Sequence, residues 1–285
     1  MYAIMGVTGK VGGALARQLL DDGIKIRAIL RDAAKGGTWW DRGAEVALAD
    51  LEDPKTLGEA LAGAAGVFVM LPPDFDPAPG FPEARQRISH LRQAILLAMP
   101  PKVVVLSTIG AEAKQPNLLN QLGLLEQALG DLPMPVTFLR AAWFMENAAL
   151  DVPSARDEGV IHSYLQPLDR RVPMISAVDV GHMAAALLQE DWTGARVVAL
   201  EAERRVSPLD IAQAFSRTLG RPVEAEAVPR ENWEAIFRDA GMQNPSPRMQ
   251  MIDGFNEGWI DFADRGAHAR KGATGLDEAI AALVK

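Results

Sequence analysis

The sequence contains no cysteine and only two tyrosines among its 285 residues. The absence of cysteine excludes disulfide bonds, thiol nucleophiles and thiolate metal sites. Four histidines are spread along the chain without the paired spacing that metal ligands show: His90, His162, His182 and His268. No serine stands in a GxSxG motif, the signature of a serine-hydrolase elbow. We therefore expect neither a metal centre nor hydrolase chemistry based on serine or cysteine.

The chain also has no excess of positive charge and no long apolar run. The net charge is −8, so a nucleic-acid surface is not expected, and a phosphate ligand would have to be met by local cations. No apolar run approaches the length of a membrane span, and the first residues enter a strand directly without a leader. We therefore expect a cytoplasmic protein with no membrane partner. The length is enough for one large domain, or for a large domain with a small lobe.

The amino-terminal stretch Met1–Gly23 has the pattern of a strand, a glycine-rich turn and a helix. The apolar run Tyr2–Met5 is followed by the turn GVTGKVG and then by a helix in which apolar residues recur every four positions. Gly23 stands where a left-handed helix cap is expected. A glycine motif alone is weak evidence, but a strand before it and a helix after it are the context that a dinucleotide-binding turn requires.

The three glycines of this turn have different predicted roles. Gly6 allows a sharp turn off the strand, Gly9 allows the backbone to approach a bound group, and Gly12 allows the helix to lie close to the sheet. The N–H groups at the start of the helix then point at a pyrophosphate. We predict that the turn binds a dinucleotide through Gly6, Thr8, Gly9, Lys10, Val11 and Gly12. The alternative is a turn that serves packing alone.

The second predicted strand, Lys25–Leu30, ends at a charged pair. Arg31 follows Gly12 by nineteen residues, where NAD-binding folds place an acid on the ribose 2′-hydroxyl. An arginine there suits a 2′-phosphate instead, since a guanidinium binds phosphate through paired, charge-assisted hydrogen bonds. Lys35 would add a second positive charge. The predicted cofactor is therefore NADP, with NADPH preferred over NADH. Asp32 leaves a 2′-hydroxyl contact open, and a solvated strand end is the other alternative.

Strands and helices alternate along the first half of the chain, which predicts an α/β fold with a doubly wound parallel (Rossmann) sheet. Later strands are predicted at Glu45–Ala49, Gly66–Leu71, Lys102–Ser107, Val136–Leu139, Val172–Ile175 and Arg196–Leu200. Later helices include Glu83–Met99, Asn117–Leu129, Ser176–Gln189, Arg230–Ala240, Pro247–Ala263 and Thr274–Val284. We predict a dinucleotide-binding domain at residues 1–140, to which residues 172–200 return. Residues 141–171 and 201–285 would form a small substrate-binding lobe.

The loop Pro72–Pro82 is the most unusual connection, because five of its eleven residues are proline. It leaves the carboxyl end of a central strand, where folds of this type bind ligands. Proline stiffens a chain without donating backbone hydrogen bonds. Two interpretations stay open: the loop borders the ligand pocket, or it is only a rigid connector.

The tyrosine–lysine pair of ordinary short-chain dehydrogenases is missing. In those enzymes a lysine four positions after a tyrosine lowers the tyrosine pKa, and the tyrosine then exchanges a proton with the substrate oxygen. Here Tyr2 is followed by Gly6, and Tyr164 by Leu168. Ser107 stands at the appropriate strand end but lacks that partner. An alcohol dehydrogenase mechanism is disfavoured, whereas hydride transfer to quinones or azo dyes stays open because water can protonate their reduced anions.

Six segments together resemble the NmrA-like branch of the atypical short-chain dehydrogenase/reductases. They are GVTGKVG at Gly6–Gly12, LRDxxK at Leu30–Lys35, ADLEDP around Asp50, VVVLSTIGA at Val103–Ala111, FLRAAWFMEN at Phe138–Asn147 and ISAVDVGHMAAALL at Ile175–Leu188. The resemblance implies a nucleotide domain, a small carboxyl-terminal lobe and a substrate between them. The family includes NADPH-dependent quinone oxidoreductases and azoreductases, and also NADP redox sensors without turnover.

The resulting hypothesis is an NADPH-dependent oxidoreductase of a small quinone-like or azo-like molecule, active as a monomer or homodimer. The alternative is a non-catalytic NADP redox sensor; reduction of a C=C or C=N bond would need a positioned acid that we do not identify. Further cofactor contacts are predicted at Asp50 and Leu51 (adenine), Met70, Leu71 and Pro72 (riboses), and Ser107 and Thr108 (nicotinamide). The predicted substrate contacts are Phe144, Asn147 and Tyr164. No residue is assigned as a general acid.

Overall fold

The computed structural model describes residues Met1–Lys285. Its strands are β1 Tyr2–Ile4, β2 Ile26–Leu30, β3 Glu45–Leu48, β4 Val67–Val69, β5 Val103–Thr108, β6 Val136–Ala141, β7 Trp143–Phe144, β8 Val160–Ser163, β9 Met174–Ile175, β10 Ala195–Ala202, β11 Glu224–Ala227 and β12 Arg270–Gly272. Its helices are α1 Lys10–Asp21, α2 Gly37–Trp40, α3 Pro54–Leu61, α4 Pro82–Ala98, α5 Asn120–Leu129, α6 Val152–Asp157, α7 Ala177–Gln189, α8 Pro208–Leu219, α9 Trp233–Asp239, α10 Ser246–Glu257 and α11 Leu276–Val284. Short 3₁₀ segments lie at Ala33–Lys35, Met145–Asp151, Arg230–Asn232 and Ala263–Gly266. None of the helices combines the length and the hydropathy needed to cross a lipid bilayer.

Eight strands form one sheet in the order β12-β10-β6-β5-β4-β1-β2-β3, and all their pairings are parallel. The predicted doubly wound parallel sheet is confirmed. The chain runs outward from β1 through β2 to β3 and then returns to β4 on the other side of β1. The connections after β1 and β4 therefore leave the sheet in opposite directions and open a crevice at its carboxyl edge, where such folds bind ligands.

The two faces of this sheet are covered by different helices. Successive strand residues point to opposite faces, so Val104 of β5 lies in a core cluster with residues of α1 and α7. Val105 lies in the other cluster, with residues of α3, α4 and α5. Helices α1 and α7 approach closely because Gly181 has no side chain: a β-carbon there would lie 2.6 Å from that of Ala14.

The second half of the chain contributes two strands to the same sheet. Strand β10 pairs with β6, and β12, which lies within the range 201–285 and was not predicted, pairs with β10. The predicted strand Val172–Ile175 is shorter, and as β9 it pairs with β7 outside the main sheet. The division into a nucleotide domain and a lobe stays a prediction.

A second, smaller unit of structure surrounds the two-stranded parallel sheet of β8 and β11. Helices α6, α8 and α11 enclose a separate core cluster there, whose largest members are Ile161, Phe215, Val223 and Ile280. Helix α6 and both strands were missed from the sequence because their segments show no clear hydrophobic period.

Several helix ends follow the local signals that the sequence carries. Asp53 caps α3 through its side chain, and Ser207 and Asp210 form a capping box at the start of α8. Several helices are shorter than predicted, and for two of them a local signal explains the difference. The side chain of Asn117 accepts a backbone N–H two residues on and closes a turn before α5 begins. Gly258, with a left-handed φ of 85°, ends α10.

Candidate functional site

The glycine turn leads from β1 into α1 at the switch point of the sheet. Gly6 has a left-handed φ of 70°, and the N–H of Gly9 donates to the carbonyl oxygen of Gly6 at 2.9 Å. Gly9 is the N-cap residue of α1, and no side chain caps the free N–H groups of the first helical turn. Thr8, Gly9 and Lys10 are exposed. These N–H groups are therefore free to bind an anion, as the pyrophosphate of a dinucleotide requires.

The remaining residues of the turn hold it against its neighbours. Val11 and Gly12 are buried, so the side chain of Val11 is not available to a ligand. A β-carbon at Gly12 would lie 2.4 Å from the carbonyl oxygen of Gly6, and one at Gly6 would lie 2.6 Å from the sulfur of Met70. The structure therefore brings Met70, which follows β4, directly against the turn. Leu71 beyond it is buried, and Pro72 is exposed.

Arg31 and Lys35 provide positive charge at the carboxyl end of β2, next to β1 in the sheet. Both side chains are exposed, and neither forms a salt bridge. The carboxylate of Asp32 accepts the N–H of Ala34 at 2.9 Å and caps the 3₁₀ turn Ala33–Lys35. Asp32 thus has a local structural partner, whereas the two cations are free to meet a phosphate.

Asp50 and Leu51 follow β3 on the same side of the sheet. The exposed carboxylate of Asp50 accepts the N–H of Glu52 at 3.0 Å and closes a short turn. The side chain of Leu51 is buried, and its carbonyl oxygen lies 3.2 Å from Nδ1 of His90 on α4. Asp50 is therefore accessible to a ligand, whereas the side chain of Leu51 belongs to the core.

The proline-rich loop after β4 is tied to the segment that precedes α10. The carboxylate of Asp76 accepts the N–H groups of Gln243 and Asn244, both at 2.7 Å. The side chain of Asn244 donates in turn to the carbonyl oxygen of Pro77 at 2.8 Å. These two backbone donors hold the pKa of Asp76 below its ordinary value. The loop therefore links the sheet to the α10 region, and its contact with the ligand stays a prediction.

Ser107 and Thr108 end β5 and point to opposite faces of the sheet. Ser107 is buried and its hydroxyl donates to a carboxylate oxygen of Glu126 on α5 at 2.5 Å. Thr108 is half-buried on the opposite face. The hydroxyl of Ser107 thus already has an acceptor, Glu126 on α5. The sequence did not indicate this contact.

Glu126 and Arg140 form a half-buried pair that the sequence does not indicate. Nε and Nη2 of Arg140 donate to the two carboxylate oxygens of Glu126 at 2.9 and 2.7 Å, and Nη1 lies 2.6 Å from a carboxylate oxygen of Glu112. Burial alone would lower the pKa of Arg140, but the hydrogen bonds and charges of both acids outweigh burial and raise it. This network joins α5 to the carboxyl ends of β5 and β6.

Phe144 and Asn147 lie in the segment that follows β6 along the chain. Phe144 ends the short strand β7, which pairs with β9. Its neighbour Trp143 meets Phe255 of α10 edge to face, with ring centroids 5.1 Å apart. Asn147 is exposed on the 3₁₀ segment Met145–Asp151. The segment that carries both predicted substrate contacts is therefore packed against α10.

Tyr164 directly follows β8 and packs against α9. Its ring centroid is 5.6 Å from that of Trp233 and 5.1 Å from that of Phe237. It also lines a cavity of about 370 Å³ with residues of β8, β11 and α9. Burial raises the pKa of the Tyr164 hydroxyl. The hydroxyl is therefore protonated at neutral pH, and its contact with a substrate stays a prediction.

Comparison with known proteins finds a family and relatives of similar length. The sequence model of the NmrA-like family matches residues 2–261. An NAD(P)H azoreductase of Xenophilus azovorans is 28% identical over 259 residues, which make up 90% of this chain and 85% of that protein.

Two solved structures share the fold over their whole length. The NADPH-dependent quinone oxidoreductase of Escherichia coli, complexed with NADPH, superposes with a TM-score of 0.82 at 21% identity and covers 100% of both chains. The triphenylmethane reductase of Citrobacter sp., complexed with NADP(H), superposes with a TM-score of 0.80 at 22% identity, over 100% of this chain and 99% of that one.

Proposed function

The chain belongs to the NmrA-like family, and on that premise we propose that it is an NADPH-dependent oxidoreductase that transfers a hydride to a small quinone-like or azo-like molecule. One observation carries the proposal. The uncapped start of α1 stands at the switch point of the sheet, beside the strand that ends in the unpaired Arg31. The likeness to the azoreductase over 90% of this chain supports the same class of reaction.

The chain's own residues would bind and orient the cofactor. The N–H groups after Gly9 would hold the pyrophosphate, and Arg31 with Lys35 would hold the 2′-phosphate. Asp50 would border the adenine, and Met70 the riboses. The remaining contacts proposed along this path are Leu51, Leu71, Pro72, Ser107 and Thr108. When bound, the nicotinamide supplies the hydride, and the protein's contribution is position and environment.

Proton delivery is assigned to water in this proposal. The hydroxyl of Ser107 donates to Glu126, and Tyr164 is enclosed by aromatic rings of the lobe. Hydride transfer to a quinone leaves a stabilised anion that solvent can protonate. Phe144 and Asn147 would border the acceptor without exchanging protons with it.

Steady-state oxidation of NADPH with a panel of quinones and azo dyes tests the proposal. We expect turnover with at least one class and a clear preference for NADPH over NADH. Binding affinities for NADPH and NADP should be measured beside it. Tight binding that distinguishes the two redox forms, without turnover of any acceptor, would identify a redox sensor and overturn the proposed activity.

A further inference from the structure

Arg248 is a half-buried arginine without a carboxylate partner. Each of the other half-buried arginines of the protein pairs with an aspartate or glutamate. The only side-chain hydrogen bond of Arg248 goes to the sulfur of Met242 at 3.9 Å. Its guanidinium carbon lies 4.8 Å from the ring centroid of Phe237. Arg248 is therefore the only half-buried arginine of the protein that lacks a carboxylate partner.

The chemistry of this group leaves most of its donors without acceptors. A guanidinium carries five N–H donors in a fixed plane, and a thioether sulfur is a weak acceptor. Partial burial of an unpaired cation is unfavourable, and it lowers the pKa of Arg248. The contact with Phe237 offsets part of this cost, because a cation is attracted to the face of an aromatic ring. An oxyanion in the plane of the guanidinium would satisfy the remaining donors.

The position of Arg248 on α10 relates it to the proposed substrate site. Arg248 and Phe255 are seven residues apart and so share one face of the helix. Phe255 packs on Trp143, the neighbour of Phe144 in β7. Arg248 lies about two helical turns, or roughly 10 Å, from Phe255 along the same helix. Its guanidinium lies over Phe237, whose ring also packs on that of Tyr164, a proposed substrate contact.

The amino end of α10 is also joined to both loops that border the crevice. The carbonyl oxygen of Pro247 accepts the N–H of Leu118, in the connection after β5, at 2.9 Å. Asn244 contacts the proline-rich loop after β4 through Asp76 and Pro77. Arg248 is thus held between the lobe and the edge of the sheet where the cofactor is proposed to bind.

No aspartate or glutamate forms a salt bridge with Arg248. The charge of Arg248 acts on the hydroxyl of Tyr164, which also feels the nearby carboxyl of Asp151. Burial raises the pKa of Asp151 to about 6, and the cation that acts against this rise is His162. The guanidinium of Arg248, whose only side-chain hydrogen bond goes to a thioether sulfur, can therefore bind an anionic ligand.

We propose that Arg248 binds an anionic substituent of the acceptor, such as a sulfonate or carboxylate. This inference rests on the proposed function and narrows its substrate class to aromatic acceptors that carry a negative group. A planar guanidinium binds two oxygens of such a group at once. The aromatic part of the acceptor would lie towards Phe144 and the nicotinamide.

A matched pair of acceptors, a naphthoquinone and its monosulfonate, tests the inference in the full-length protein with NADPH. Arg248→Gln should raise KM for the sulfonate about ten- to a hundredfold, the usual effect of losing a charge-assisted contact. KM for the neutral quinone should change less than about threefold. The control is Arg238→Gln, which removes an exposed lobe arginine paired with Glu234 and should affect neither KM. Equal increases for both quinones would show a structural role and overturn the inference.

Two further measurements keep this test separate from that of the proposed function. Arg248→Lys keeps the charge but loses the paired hydrogen bonds, and it should give an intermediate KM if Arg248→Gln does not fold. Calorimetric binding of a naphthalenesulfonate, which is not reduced, reports the anion site without turnover. Binding that is lost in the Arg248 variants supports the anion site even if no quinone is reduced. Absence of binding to the wild-type protein contradicts it.

Discussion

A β-carbon added at Gly12 would lie 2.4 Å from the carbonyl oxygen of Gly6, closer than atoms can approach without moving the backbone. The first and last glycines of the turn are thus held together by packing. Gly9 differs, because a β-carbon there would lie 3.3 Å from the same oxygen and its φ of −90° suits any residue. Packing and ligand binding therefore depend on different glycines of one motif.

Valine substitutions at these two positions should separate the two roles. Gly12→Val should lower the free energy of unfolding by about 1–3 kcal/mol or more, because it overpacks a buried site. Gly9→Val should leave the urea midpoint close to that of the wild type while abolishing binding of NADPH and NADH, because its side chain would occupy the pyrophosphate position. Urea unfolding and fluorescence titration measure the two effects. Unchanged cofactor affinity in a folded Gly9→Val protein would contradict the site.

The second prediction concerns the cofactor phosphate. Arg31→Ala should weaken NADPH binding about ten- to a hundredfold and leave NADH binding nearly unchanged, because only NADPH carries the 2′-phosphate. Lys25→Ala is the matched control, since Lys25 lies at the amino end of the same strand. Equal losses for both cofactors would show that Arg31 does not bind the phosphate.

The third prediction addresses the source of the proton. Tyr164→Phe should change the turnover of a quinone less than about tenfold, whereas loss of a general acid usually costs about 10²–10⁴-fold. Phenylalanine keeps the ring contacts with Trp233 and Phe237, so the fold should be retained. A hundredfold fall in kcat with unchanged cofactor affinity would make Tyr164 the proton donor.

The fourth prediction follows from the buried carboxyl of Asp151, whose pKa is raised by burial from 3.8 to about 6. Between these values the unfolded chain has lost the proton that the folded protein retains, so stability falls as pH rises from about 4 to about 6. Asp151→Asn should remove this fall. The free energy of unfolding of the variant, relative to that of the wild type, should therefore be about 2–3 kcal/mol higher at pH 8 than at pH 4. Asp157→Asn, at an exposed acid of α6, the helix that follows Asp151, is the control. A difference in stability that does not vary with pH would contradict the burial of a charged group.

The sheet and the glycine turn could be predicted because their signals are local. Met1–Gly23 carries an apolar run, three spaced glycines and a helical period within one short stretch. The strand of Glu224–Ala227 carries no such signal, since glutamate and alanine alternate there and its partner Val160–Ser163 is far away in the chain. Such strands form because the surrounding helices hold the two segments side by side. The sequence pattern of one segment carries no information about this packing.

The contacts around the site were less predictable for the same reason. Asp76 meets Asn244 across 168 residues, and nothing in the sequence around either residue indicates the other. Glu126 was visible as an acid on a predicted helix, but its pairing with Arg140 depends on how α5 lies over β6. Arg248 gave no signal in the sequence, because the lack of a partner is a property of the fold.

The most direct test of the proposed activity is a single turnover in which the protein, loaded with one equivalent of NADPH, is mixed rapidly with a quinone or an azo dye. If the protein is a reductase, the nicotinamide absorbance should decay together with that of the acceptor and at least as fast as steady-state turnover. One NADPH should be consumed for each quinone or for each azo bond reduced to a hydrazo bond, and two for each azo bond cleaved to amines. Gly9→Val, which should not bind NADPH, should show only the uncatalysed rate. Decay of the wild-type signal at that uncatalysed rate, with NADPH demonstrably bound, would contradict a reductase.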